Sequence, residues 1–429
     1  MQSSKHGLRC AFCNAKLHTK VMDFGEVALA GGFLSPNGFQ KETFYPLRLF
    51  YCEQCYGLQV VDKVDAAELF QDYFYFSSSI NTLKNHFKNY ATEVVSRFLK
   101  KPLNDAKVLE FGCNDGVLLR PLADLKIGTV IGVDPAANVV KTINDPRIKI
   151  VNSFFNLATA KEVISQFGKV DMVIANNVYA HISDMQDVTW AIHEVLNEEG
   201  VFIFEVHYLG KMMDELQYDM IYHEHLYYHS LLSLKKHFER YRMLIFDVEP
   251  VSTHAGSMRY YVCKEGSENA NNLTQAVQTL ANEEIERGYN RKETFLNFST
   301  QVNNTKLELM ALIDRLKDSG KSIVGYGASG RANTLIQYCG LGQQHLDYVV
   351  DDAPIKQGFY TPNSHLLIRP STALESRNPP DYVLIFAWSF LEEIMLRSST
   401  YLRNGGKFII PLPKVKIISA IGEQGVDQI

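Results

Sequence analysis

From about residue 85 onward, short apolar runs alternate with amphipathic stretches. Lys107–Phe111 reads as a strand, followed by the turn Gly112-Cys113-Asn114-Asp115-Gly116 and a helix over 117–125. Further strands are predicted at 129–133, 149–151, 171–175 and 201–205. This rhythm predicts βαβ units, hence an α/β fold with a parallel sheet and helices on both faces. Residues 273–319 are amphipathic and charge-rich with few breakers, and read as helices that tether or separate domains. The α/β rhythm then resumes with strands at 322–326, 345–350, 381–388 and 406–410, and a glycine-rich turn at 327–334 opens a helix. Upstream, 44–52 reads as a strand after a turn-rich stretch holding Gly25, Gly31, Gly32, Pro36 and Gly38. The expected division is 1–70, 71–270, a helical connector at 271–318, and 319–429.

Composition narrows the class. Apolar residues make up 46% of the 429 and charged residues 21%, which excludes a largely disordered chain. The net charge of −5 speaks against a non-specific nucleic-acid binder, which needs a basic surplus. No apolar run reaches the ~18 residues of a membrane span; the best is Val383 to Leu391. The N-terminus MQSSKHGLRC lacks an apolar signal core, so a cytoplasmic chain without structural disulfides is expected. Seven cysteines are present, four of them as Cys10-x-x-Cys13 and Cys52-x-x-Cys55. In a reducing compartment two such knuckles read as a zinc site of four thiolates, closed and therefore structural. The bland alternative is four unrelated buried thiols. Cys113, Cys263 and Cys339 lack such a partner and read as packing residues.

The first βα turn bears on the cofactor. Its pattern, Glu110-x-Gly112-x-x-x-Gly116 with Asn114 inside, lacks the GxGxxG of a pyrophosphate cradle. An acid opening the loop and a second, Asp134, ending the next strand suit a cofactor with a ribose and a cation, as in S-adenosylmethionine. Asp134 would accept from the ribose hydroxyls, while Glu110 and Asp115 would lie near the ammonium and sulfonium. A generic turn with a solvated Asp134 is the alternative. Asn176-Asn177-Val178-Tyr179-Ala180-His181 follows the fourth strand, at the same carboxyl edge. Tyr222-His223-Glu224-His225 is not the HExxH of a zinc helix, but Tyr222 and His225 stand three apart and are able to share a helix face. These histidines read either as acid–base groups or as core members. The turn at 327–334, with Arg331, reads as an anion cradle, Arg331 forking to a phosphate. Asp351, Asp352 and Lys356 close the next strand; an ordinary ligand-free Rossmann-like domain is the alternative.

Together the paired CxxC knuckles, EFGCNDGVLL, ANNVYAHISD, YHEHLYY, HAGSMR and GYGASGRANTLIQYCG resemble the sugar C-methyltransferases that act on nucleotide-linked 4-keto-deoxy sugars. The resemblance spans nearly the whole chain. It implies a small zinc-binding N-terminal domain, a Rossmann-type methyltransferase domain for S-adenosylmethionine and a second Rossmann-like C-terminal domain. The sugar nucleotide would lie in the cleft between domains. His225 would remove the proton beside the ketone, with Tyr222, Glu224 and His181 around the sugar. Tyr75, or else Tyr73, would reach in from the YFYFSS segment. Glu110, Gly112, Asn114, Asp115, Gly116, Asp134 and Asn176 would hold the cofactor. Tyr326, Gly327, Ala328, Arg331, Asn333, Asp352 and Lys356 would hold the substrate. Ala255 departs from a HGGSxR pattern and Arg331 stands where many members carry Lys. The expected outcome is methylation next to the ketone, C-3 before C-5, by a monomer with no nucleic-acid or membrane partner. O- or N-methylation of a sugar nucleotide, a two-Rossmann NAD oxidoreductase and a zinc-finger binding module are the competing readings.

Overall fold

Three sheets organise the computed structural model, which describes residues 8–70, 78, 81–252, 256–420 and 422–425. The first strands are β1 (Thr19–Ala28), β2 (Phe44–Tyr51) and β3 (Leu58–Val60). Next come β4 (Lys107–Phe111), β5 (Thr129–Val133), β6 (Ile148–Val151), β7 (Val170–Asn176) and β8 (Leu196–His207). They are followed by β9 (Tyr227–Tyr228), β10 (Met243–Val251) and β11 (Ser257–Lys264). The last group is β12 (Ile323–Tyr326), β13 (Val349–Val350), β14 (Ile368–Arg369), β15 (Tyr382–Ile385), β16 (Lys407–Ile410), β17 (Lys416–Ser419) and β18 (Gly422–Gly425).

The middle sheet has the order β10-β11-β8-β7-β4-β5-β6. It is parallel except for β11, which runs antiparallel to both neighbours. The parallel sheet expected of β4 to β8 is present, and β11 and β10 extend it at one edge. Val251 faces Ser257 across a hairpin, and so short a link cannot make a parallel crossover, which needs a dozen or more residues. Both faces of the central strands are covered, which is why their sequences read as unbroken apolar runs. Leu109, Ile131, Val173 and Phe202 point into one core; Val108, Val130, Met172 and Val201 point into the other, beneath helix Asn81–Phe98.

The C-terminal sheet has the order β14-β13-β12-β15-β16-β17-β18, with the last two strands antiparallel. Two of its strands are shorter than the pattern predicts: only Val349–Val350 pairs from 345–350, and 381–388 ends at Ile385, Trp388 opening a 3₁₀ turn instead. Helices Gln275–Glu286 and Lys292–Asp318 fill the region between the two α/β units. No helix among the described residues is long and apolar enough to cross a membrane.

The N-terminal sheet, β1-β2-β3-β9, takes its fourth strand from far along the chain. Leu58 pairs with Tyr228 and Gln59 with Tyr227, so the segment after Tyr222-His223-Glu224-His225 is part of the N-terminal unit's sheet.

Candidate active site

The two CxxC knuckles converge. The ligand atoms of Cys10, Cys13, Cys52 and Cys55 all lie within 4.8 Å of one another, with Cys10 Sγ 3.4 Å from Cys55 Sγ and Cys13 Sγ 3.6 Å from Cys52 Sγ. Thiolates on a tetrahedral zinc with ~2.3 Å bonds stand about 3.8 Å apart, so this donor set fits the ion. Gln59 closes the far side: its amide NH₂ donates to Cys10 Sγ (3.1 Å) and its carbonyl accepts from the Ala11 N–H (2.9 Å).

At the carboxyl edge of the middle sheet, Glu110 near the end of β4 and Asn176 at the end of β7 lie 3.5 Å apart. The turn between them and Asp134 is held in the left-handed region at Gly112 (φ 66°), Asn114 (φ 49°) and Gly116 (φ 76°). A Cβ at Gly112 would come within 2.2 Å of Val178 Cγ2, so only glycine lets the two loops approach. The Asp134 carboxylate accepts from the Asn114 and Ala136 backbone N–H groups, each at 2.9 Å. Burial still pushes it up from the ordinary carboxylate range, and pushes Glu110 well above it. Glu110 Oε2, Asp115 Oδ1 and Asn176 Oδ1 are buried with no partner among the described residues. Unpaired buried acceptors carry a desolvation cost. A nest of acids with spare lone pairs suits the ammonium and sulfonium of S-adenosylmethionine.

Tyr222-His223-Glu224-His225 forms a turn, not the helix face the spacing suggested; the His225 N–H donates to the Tyr222 carbonyl at 2.9 Å. The i, i+3 spacing brings the side chains together all the same, with Tyr222 Oη 3.0 Å from His225 Nε2. His225 Nδ1 lies 2.8 Å from the Met220 carbonyl. A carbonyl only accepts, so Nδ1 carries the hydrogen and the neutral ring keeps its lone pair on Nε2. Burial holds His225 well below the usual imidazole range. His181 packs edge-on at 4.9 Å, its Nδ1 2.6 Å from the Glu224 carbonyl. Glu224 thus steadies an imidazole through its backbone. Its carboxyl, which burial pushes up to about 7, approaches Gly31, where a Cβ would come within 3.0 Å of Oε1.

All three units clamp this turn. From the N-terminal unit, the Pro46 carbonyl accepts from His223 Nε2 (3.0 Å) and the Val60 N–H donates to the Leu226 carbonyl (2.9 Å). From the C-terminal helix Gly330–Cys339, Gly330 lies against the Tyr222 ring, where a Cβ would stand at 3.3 Å, and Arg331 Nε donates to Asp219 Oδ2 at 2.9 Å. Trp388 Nε1 donates to the same oxygen at 3.0 Å. Asp219 is 1% exposed.

Arg331, expected to fork to a phosphate, is paired here with buried Asp219, which needs a compensating charge that the guanidinium supplies. The other expected substrate groups also have protein partners. Asn333 donates to the Ala30 carbonyl (2.5 Å), and Tyr326 Oη to Asp352 (2.8 Å). Lys356 Nζ donates to the Ala328 carbonyl (2.6 Å), and the Ala328 N–H to Asp351 (2.7 Å). Gly327 keeps a positive φ of 96°. Tyr75, Tyr73 and Ala255 lie outside the described residues.

Comparison with known proteins follows the same division. Residues 10–70 match the family described as "Putative zinc binding domain", 83–241 a methyltransferase domain and 252–413 a C-methyltransferase C-terminal domain. The C-methyltransferase NovU of Streptomyces niveus is 30% identical over 414 residues, covering 96% of this chain and 97% of that one. The chain belongs to the C-methyltransferase family. A ubiquinone biosynthesis O-methyltransferase of Azorhizobium caulinodans is 30% identical over 104 residues, which is 24% of this chain and 41% of its own. Among solved structures, an S-adenosylmethionine-dependent methyltransferase of Clostridium acetobutylicum is 15% identical with a TM-score of 0.33, covering 44% of this chain and 94% of that one.

Several groups of this C-methyltransferase escape motif reading. Asp219 and the Met220 carbonyl fix the turn, yet no spacing announces either. His86, on helix Asn81–Phe98, bonds both oxygens of buried Glu205 (3.0 and 3.1 Å), which Arg259 also grips at 2.7 Å. Only the charge of Glu205 directly after the apolar run Val201–Phe204 hints at it.

Proposed function

We propose that this S-adenosylmethionine-dependent C-methyltransferase acts on a nucleotide-linked 4-keto-6-deoxy sugar, methylating the carbon beside the ketone, C-3 first, to give a branched sugar. The observation that carries the reading is the His225 ring, buried, neutral and with its Nε2 lone pair directed at Tyr222. Carbon methylation needs a carbon nucleophile, and a ketone lends its neighbour the acidity to become one. His225 Nε2 takes that proton. A neutral imidazole is a weak base for the task, so the developing oxyanion has to be met by an aimed donor. Tyr222 Oη is that donor once the substrate displaces its bond to His225 Nε2, turning its proton to the ketone oxygen and freeing the Nε2 lone pair. His181 Nδ1 does not serve, because its hydrogen is given to the Glu224 carbonyl. S-adenosylmethionine supplies the electrophilic methyl group. Glu110, Asp115 and Asn176 would face its charged end, Asp134 its ribose, and Gly112, Asn114 and Gly116 shape the loop around it. Tyr326, Gly327, Ala328, Arg331, Asn333, Asp352 and Lys356 would line the nucleotide's side of the cleft, exchanging some of their internal bonds for it. The interdomain setting of the turn keeps out water that would reprotonate the enolate.

The test uses thymidine- and guanosine-diphosphate-linked 4-keto-6-deoxyhexoses beside their 4-hydroxy counterparts, with product mass and carbon connectivity read by NMR. Methyl transfer to carbon on the keto sugars alone is expected. His225→Asn should abolish it while retaining S-adenosylhomocysteine binding by calorimetry. Transfer to the 4-hydroxy sugars, or near-normal turnover by His225→Asn, overturns the proposal.

A further inference from the structure

We infer that Tyr228 is a positioning residue whose buried hydroxyl locks His225 into the tautomer and orientation that present Nε2 to the acceptor. The inference rests on His225 acting as the base.

Tyr228 is 4% exposed, and its hydroxyl lies 3.2 Å from the Met220 carbonyl and 3.0 Å from the His225 carbonyl. Its single proton is shared between them. The Tyr222 backbone also bonds the same phenol. One oxygen therefore joins the carbonyl that fixes His225 Nδ1, the backbone of the residue facing His225 Nε2, and the backbone of His225 itself. The 2.9 Å turn bond between the His225 N–H and the Tyr222 carbonyl sets the backbone but leaves the ring free to rotate. What stops a half-turn of the ring is the Met220 carbonyl standing at Nδ1, and Tyr228 is the other group that holds that carbonyl.

Tyr228 is itself held from the N-terminal side. Its ladder partner is Leu58, and the neighbouring pair is Tyr227 with Gln59. Gln59 is the residue whose amide joins Cys10 Sγ and the Ala11 N–H. The cysteine knuckle thus reaches the His225 ring through four hydrogen-bonded steps: Gln59, the β3–β9 ladder, the Tyr228 hydroxyl and the Met220 carbonyl.

The experiment is histidine-selective ¹⁵N NMR on the full chain at pH 7, with the His225 signals identified by their loss in His225→Gln. Wild type should show a protonated Nδ1 and an unprotonated Nε2. Tyr228→Phe should mix the two tautomers. Its kcat on the keto-sugar panel should fall about 10- to 100-fold, the effect of one or two lost hydrogen bonds, with S-adenosylhomocysteine affinity within twofold. Replacing Tyr228 with p-aminophenylalanine, which keeps a donor at the same place, should restore both tautomer and kcat; it decides the matter if Tyr228→Phe fails to fold. A proton on Nε2 in wild type, an unchanged tautomer and rate in Tyr228→Phe, or a folded p-aminophenylalanine variant that restores neither overturns the inference. A normally active His225→Gln would overturn the base assignment instead, and the wild-type spectrum separates that outcome from failure of the lock.

Discussion

Removing the charge at residue 331 is the sharpest probe of how the C-terminal unit supports the site. Asp219 is buried and takes hydrogen bonds from Arg331 and Trp388 on one oxygen, while its other oxygen has no partner among the described residues. Burial already raises its pKa, with Arg331 acting in the opposite direction. In Arg331→Met the carboxylate loses its compensating charge and survives in the fold only by keeping a proton. Holding that proton at pH 7, against an unfolded pKa of ~3.9, costs about 4 kcal/mol. That agrees with the ~3–5 kcal/mol typical of breaking a buried pair. The sign with pH follows: above pH ~4 the folded variant binds one proton more than the unfolded chain, so its stability falls by about 1.4 kcal/mol per pH unit as pH rises. Asp219→Asn should be milder, about 1–3 kcal/mol, because the Arg331 side chain is 18% exposed and reaches water. Urea denaturation at pH 5, 6 and 7 measures this, and tryptophan emission reports the interface directly, since Trp388 sits 5.0 Å from the Arg331 guanidinium carbon. The reasoning is refuted if the Arg331→Met and wild-type curves run parallel in pH, or if Asp219→Asn is the more damaging change.

Other perturbations follow from the geometry already given. Gly112→Ala combines a positive φ with a 2.2 Å clash on Val178; a loss of about 2–4 kcal/mol is expected, seen as a lower melting temperature and weakened S-adenosylhomocysteine binding by calorimetry. Wild type should carry stoichiometric zinc by elemental analysis; Cys52→Ser should abolish it and lower the melting temperature, because metal binding free energy is folding free energy. Glu224, pushed up to about 7 by burial, favours its protonated form in the fold, so wild-type stability falls as pH rises from about 4.5 to 7. Glu224→Gln should flatten that segment and be more stable than wild type at pH 8 by ~1–3 kcal/mol in urea titrations.

The sequence betrays those parts of the molecule whose signal is local. β4, β5 and β7 are legible because burial on both faces writes continuous apolar runs. The cysteine quartet is legible because its spacing is chemical, and the Tyr222–His225 contact because three-residue spacing brings side chains together in a turn as well as in a helix. What pairs across distance is not legible. β9 is two residues long and its partner lies some 170 positions earlier, so no periodicity marks it. Arg331 reads as an anion ligand in its own turn, and nothing there announces its partner in the fold, an aspartate 112 residues away in no recognisable motif. The substrate groups expected along 326–356 were chosen for chemistry alone, which does not announce their bonds to Ala328, Asp352 and Ala30.

The two-residue β9 also governs how the molecule tolerates being rebuilt. A fragment ending near residue 70 would leave β3 with an open edge, an invitation to self-association that native sheets avoid. Exchanging that fragment between related enzymes would break the ladder unless Leu226 to Tyr228 travelled with it. The first sixty or so residues and this distant tripeptide form a single inheritable unit, so chimeras should be designed with two joints rather than one.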